Sequence, residues 1–179
     1  MDEEIIQKRA SKALFCYNIK MIYRSESFKQ TKKFAVEMAK ALRPFEMPQG
    51  KQAQGKKFKD KQSLIIALKG NLGSGKTTFV QGFLRGLGVK KKITSPTFVI
   101  AKRYTLHATR YKSVYHIDCY RIRKSQELLI LGIKEIFDNP KNIVLIEWPE
   151  RIKNILPKEK ITINFKYGKE QHERKIVIK

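Results

Sequence analysis

Eight consecutive residues, Gly70-Asn71-Leu72-Gly73-Ser74-Gly75-Lys76-Thr77, have the types and spacing needed to hold a chain of phosphates. They fit G-x-x-x-x-G-K-[ST], the phosphate-binding loop of nucleoside triphosphatases. Glycine lets the backbone curl so that successive N–H groups face one anion. A lysine at the seventh position reaches the β- and γ-phosphates, and the hydroxyl after it is a Mg²⁺ ligand. Asn71, Leu72, Gly73, Ser74, Gly75, Lys76, Thr77 and Thr78 are therefore the expected nucleotide contacts. The bland alternative is a glycine-rich turn that only joins a strand to a helix. The flanking sequence favours the first reading. Leu64-Ile65-Ile66-Ala67-Leu68 reads as a buried parallel strand. Phe79, Val80, Phe83, Leu84 and Leu87 make a helical stripe, and Gly88 stands where that helix should stop.

Hydrolysis or phosphoryl transfer also needs a carboxylate for the metal and a group that senses the γ-phosphate. Glu147 directly follows the apolar run Ile143-Val144-Leu145-Ile146, so it should emerge at the carboxyl edge of a sheet, beside the loop. Asp118 ends a second predicted strand, Val114 to Cys119. Two such carboxylates suit Mg²⁺ held partly through water. Glu147 could equally be a surface charge at a strand end. Ser95 and Thr97, around Pro96, offer hydroxyls for a switch segment. Trp148, the only tryptophan, adjoins Glu147 and could stack on a base or a partner, or simply anchor the core. His116, Tyr104 and Tyr120 read either as site residues or as packing. Arg121, Arg123 and Arg151 are candidate charge stabilisers that spacing alone does not rank. No N-K-x-D string follows the loop, which favours adenine over guanine.

The elements that must position these residues follow in order. Ser27 and Gln30 make a capping box for a helix carrying Phe28, Ala35, Met38 and Leu42, which ends before Pro44. Residues 44–62 hold two prolines, two glycines and five lysines and read as a solvated basic loop. Phe98 to Tyr104 reads as a strand, Ser125 to Phe137 as a helix broken at Gly132, and Ile161 to Tyr167 with Arg174 to Ile178 as a hairpin. Residues 1–20 read as an extension and 21–179 as one domain, a length that supports a real core. No run approaches the about 18 apolar residues of a membrane span. Cys16 and Cys119 give no disulfide framework, so a reducing, cytoplasmic compartment is expected. The net charge of +23 suggests a polyanionic partner, but 29 of the 39 basic residues are lysine and they spread along the whole chain. Such a surface binds nucleic acid in a salt-sensitive, nonspecific way.

Taken together, G-N-L-G-S-G-K-T-T (70–78), S-P-T-F (95–98), H-I-D-C-Y-R (116–121), E-L-L-I-L-G-I (127–133) and I-E-W-P-E-R (146–151) resemble the bacterial TsaE family, the ATPase of tRNA threonylcarbamoyladenosine biosynthesis. The resemblance implies a P-loop-type α/β three-layer sandwich with a mixed, mostly parallel sheet and a C-terminal antiparallel hairpin. It implies slow ATP hydrolysis within a complex with the threonylcarbamoyl-transferring subunit TsaD and its pseudo-enzyme partner TsaB. That complex serves adenosine 37 of tRNAs reading A-starting codons, so tRNA is met through the complex. Lys76 would hold phosphates, Thr77 and Glu147 the Mg²⁺, Asp118 would assist as a carboxylate, Ser95 and Thr97 would form the switch, and Trp148 would lie near the nucleotide. The chain departs from the family in its residues before Met21, which is itself a candidate start, in the basic loop and in its charge. Two other readings remain open: a small-molecule kinase, and a basic RNA-binding or assembly module gated by nucleotide.

Overall fold

The computed structural model describes residues 21–42, 62–96, 99–107 and 109–179. The expected extension 1–20, nearly all of the basic loop 44–62, and Thr97 lie outside the described residues. The described elements are β1 (Met21–Ser25), α1 (Phe28–Lys40), β2 (Leu64–Lys69), α2 (Lys76–Gly86), β3 (Ala101–Thr105), β4 (Ser113–Asp118), α3 (Gln126–Ile130), α4 (Ile133–Phe137), β5 (Asn142–Glu147), a 3-10 turn (Pro149–Ile152), β6 (Ile161–Tyr167) and β7 (Arg174–Ile178).

The seven strands form one sheet in the order β1-β7-β6-β2-β5-β4-β3. The central pairs β6/β2, β2/β5 and β5/β4 are parallel, and β1/β7, β7/β6 and β4/β3 are antiparallel. β2 and β5 are apolar on both faces because helices cover both. Leu64, Ile66, Leu68, Ile143 and Leu145 face α1 and α2, which contribute Phe34, Ala35, Met38, Phe79, Phe83 and Leu84. Ile65, Val144 and Ile146 face the other layer, built from Leu128, Ile133, Phe137 and Ile152. The expected three-layer α/β architecture with its C-terminal hairpin is what folds. Among the described residues no helix is long and apolar enough to cross a membrane.

Helix α1 starts as the capping box requires: Ser27 Oγ accepts from Gln30 N at 3.2 Å. The return bond is shifted by one residue, since Gln30 Oε1 accepts from Glu26 N at 2.9 Å. α1 and α2 approach so closely that a Cβ on Gly82 would lie 2.3 Å from Lys32 O, and one on Gly86 2.5 Å from Val36 O.

Two elements differ from the sequence reading. β1 was not expected: its five residues alternate exposure too briefly to register, and its pairing partner β7 is remote in sequence. Of the strand expected from Phe98 to Tyr104, Phe98 lies outside the described residues and the strand starts at Ala101, because Ile100 adopts a left-handed φ of 61° that turns the chain and aims its carbonyl at Asp118 N, 2.9 Å away. The helical stretch 125–137 breaks where expected, into two short helices with Gly132 at φ 72° between them.

Candidate functional site

The carboxyl ends of β2, β4 and β5 converge on the start of α2. β2 runs out through Lys69 into the loop 70–75, and α2 begins at Lys76 behind Gly75. The loop's tightness demands glycine at its entrance. Gly70 has φ 145°, and a Cβ there would lie 2.6 Å from Phe165 O and 2.7 Å from Ser74 Oγ.

Lys76 is nearly buried and folds back into the loop. Its Nζ donates to Gly70 O at 2.7 Å and to Asn71 O at 2.8 Å, and lies 4.0 Å from the centre of the Trp148 ring. Burial pushes its pKa below the ordinary lysine value, while the charges of Glu147, Glu150 and Asp118 pull the other way. A cation held by carbonyls and a ring face is ready to exchange those weaker partners for phosphate oxygens.

Glu147 and Asp118 are register partners at the ends of β5 and β4, and both point to the α2 side of the sheet. Thr77 Oγ1 lies 3.0 Å from each Glu147 carboxylate oxygen. His116 Nε2 lies 2.9 Å from Glu147 Oε1. His116 is fully buried and its Nδ1 has no partner, so its hydrogen bond to Glu147 is what ties the ring to the site. With the carboxylate ionised, the proton belongs on Nε2. Asp118 Oδ1 accepts from Tyr120 N at 3.0 Å, and Asp118 Oδ2 from Ser95 Oγ at 2.8 Å.

A cleft of about 420 Å³ opens over this group. Leu72, Gly73, Gly75, Lys76, Thr77, Thr78, Ser95, Asp118, Glu147 and Trp148 all line it, as do Phe28 and Tyr120. Asn71 contributes its carbonyl to Lys76, and Ser74 is buried with its hydroxyl unpartnered. Trp148 adopts a left-handed φ of 58° directly before Pro149, and its ring centre lies 5.1 Å from that of Tyr120, the two planes tilted by 48°. That conformation is disfavoured for a bulky residue preceding proline. Tyr104 does not reach the cleft; it packs in the core opposite Val114. Arg121, Arg123 and Arg151 are exposed and do not line it either.

The donor set fits Mg²⁺-nucleotide. Among the described residues no three His, Cys, Asp or Glu side chains group into a closed metal cage. Mg²⁺ asks instead for one or two protein ligands, with water and phosphate completing the shell. Thr77 and Glu147, in mutual contact beside Lys76, are the residues that could hold it.

Sequence reasoning missed Tyr167 and Arg174, which reach the loop from the hairpin. Tyr167 Oη donates to Leu72 O, and Arg174 Nη2 donates to Gly73 O at 3.2 Å. Roughly a hundred residues separate each pair, so no local pattern marks them.

Comparison with known proteins places the chain by family and by fold. The family model described as "Threonylcarbamoyl adenosine biosynthesis protein TsaE" matches residues 25–176. A Haemophilus influenzae protein named tRNA threonylcarbamoyladenosine biosynthesis protein TsaE is 37% identical over 120 residues, covering 63% of this chain and 73% of its own. A Rickettsia bellii protein of the same name is 33% identical over 150 residues, covering 83% of this chain and 87% of its own. The crystal structure of Bacillus subtilus YdiB superposes with a TM-score of 0.63 at 28% identity, over 89% of this chain and 84% of that one. With its motifs, its sheet order and nearly all of its described length accounted for, the chain belongs to the TsaE family.

Proposed function

We propose that this protein binds ATP with Mg²⁺ and hydrolyses it slowly, as the nucleotide-driven subunit of the cytoplasmic machinery that installs threonylcarbamoyl on adenosine 37 of tRNAs reading A-starting codons. The observation that carries the reading is the contact of Thr77 with Glu147 at 3.0 Å, beside the buried ammonium of Lys76. Lys76 neutralises phosphate charge. Thr77 and Glu147 hold the metal, which when bound offsets the charge that develops on the transferred phosphoryl group. His116 fixes the Glu147 carboxylate from behind. Asp118, oriented by Ser95 and Tyr120 N, faces the same cleft and accepts a proton from the attacking water. Ser95 and Thr97 form the γ-phosphate switch, and Asn71 to Thr78 with Trp148 surround the nucleotide.

Residues 21–179 act as one ATPase domain that works with TsaD and TsaB and meets tRNA through them. The test is Mg²⁺-dependent phosphate release, with and without TsaD and TsaB, alongside ATP binding. Lys76→Ala should abolish binding. Glu147→Ala should keep binding and lower turnover by about 10²-fold or more. Wild-type turnover in both variants refutes the assignment. Tight tRNA binding by the isolated chain that survives in Lys76→Ala and falls steeply with salt would instead favour the basic RNA-binding reading.

A further inference from the structure

Arg174 opens β7 and is only 4% exposed. Its guanidinium is tied to three backbone carbonyls: Nη1 donates to Gln171 O at 2.9 Å and to Glu173 O at 2.8 Å, and Nη2 to Gly73 O at 3.2 Å. Tyr167 and Phe28 cover it, with ring centres 4.8 Å and 5.4 Å from the guanidinium carbon. Its Nε is buried and has no partner. Among the described residues no carboxylate pairs with it. The neighbouring Glu173 is turned away, accepting from Lys169 N and Glu170 N.

This is an unusual place for a cation. Arginine does not shed its proton when buried, and burying an unpaired charge is strongly unfavourable. Carbonyls and ring faces relieve only part of that cost. A polyphosphate in the adjoining loop would supply the missing negative charge. The same contacts also orient the loop. Leu72 O is held by Tyr167 Oη and Gly73 O by Arg174. In a trans peptide the N–H points opposite the carbonyl, so pinning Leu72 O to the hairpin turns the N–H of Gly73 away from it.

We propose that the β6–β7 hairpin is a working part of the anion site, with Arg174 as a positioning residue. From behind the loop it fixes Gly73 and lends a buried positive charge that the phosphates of the occupant complete. This inference rests on the ATP reading above. It makes a specific claim: the contribution of Arg174 grows with ligand charge, and its side chain costs the free protein stability that the bound polyanion restores.

The experiment is calorimetric titration of the full chain with ATP and with ADP at fixed ionic strength, together with thermal melts of the free proteins. It compares wild type, Arg174→Met, Arg174→Lys and Tyr167→Phe. A unit charge acting on another about 12 Å away, in an effective dielectric of about 20, changes affinity by about tenfold. Arg174→Met should therefore bind ATP about tenfold more weakly, lose less for ADP, and melt at or above wild type. Arg174→Lys should recover part of the ATP affinity. Tyr167→Phe should weaken both nucleotides by a similar, smaller factor. A folded Arg174→Met that binds ATP within twofold of wild type overturns the proposal. So does one whose binding loss is equal for both nucleotides and accompanied by a fall in melting temperature, since that is a purely structural role. If neither Arg174 variant folds, Tyr167→Phe decides: unchanged ATP binding overturns the hairpin's part, and weakened binding sustains it. If wild type binds neither nucleotide, the ATP reading falls and takes this inference with it; if wild type binds and only the Arg174 expectation fails, the ATP reading stands.

Discussion

Replacing Gly82 by alanine sets two effects of opposite sign against each other. In a helix interior alanine is favoured over glycine by about 1 kcal/mol. Gly82 lies within α2, so propensity alone predicts a more stable protein. The packing predicts the opposite. The added Cβ would lie 2.3 Å from Lys32 O, 3.0 Å from Lys32 Cα and 2.9 Å from Ala35 Cβ. Two of these are backbone atoms of α1, which no rotamer change can move. α1 and α2 would have to part by about 1 Å to reach ordinary contact, and overpacking of this kind costs about 3 kcal/mol. The net expectation is a loss of about 2 kcal/mol, or roughly 4–8 °C in melting temperature for a domain of this size. Gly86→Ala meets Val36 O at 2.5 Å and should cost about the same. The double variant should lose less than the sum, because one separation of the helices relieves both clashes. The assay is urea unfolding followed by far-UV circular dichroism, with the slope checked for constancy. A Gly82→Ala protein as stable as wild type, or more so, would refute the packing argument. Full additivity would refute the shared separation. Since α2 also carries Lys76 and Thr77, the same variant should weaken ATP binding.

Three further outcomes are expected. Burial, with Asp118 and Glu150 nearby, raises the Cys119 thiol from 9.0 to about 12. The native thiol should therefore resist iodoacetamide at pH 8 and react only in denaturant, as read by peptide mass mapping. The sign for stability follows: a raised pKa contributes in full below pH 9 and is lost as pH rises from 9 towards 12, by about 1.4 kcal/mol per pH unit. The stability difference between wild type and Cys119→Ala should shrink over that window, and a pH-independent difference would contradict it. Ser27→Ala removes the acceptor for Gln30 N at the start of α1 and should cost about 1 kcal/mol in the same urea assay, with no loss counting against the cap.

Local order carried much of the function into the sequence. The phosphate loop is a contiguous string whose glycines, lysine and threonine act through neighbouring backbone, so it was legible between an apolar run and a helical stripe. Glu147 and Asp118 were legible for a related reason: a polar residue closing a buried strand has to emerge at the sheet edge. Gly132 announced its break because only glycine takes that backbone turn readily. Tertiary structure decided everything that depends on which strands are neighbours. That β4 lies beside β5 makes Asp118 and Glu147 partners, and brings His116 onto Glu147 rather than into an anonymous core. That β7 folds back through β6 puts Arg174 behind Gly73, about a hundred residues away, and gives β1 the partner without which five residues leave no signal. Strand pairing and burial join residues by register, not by spacing. A linear sequence determines such contacts but does not display them.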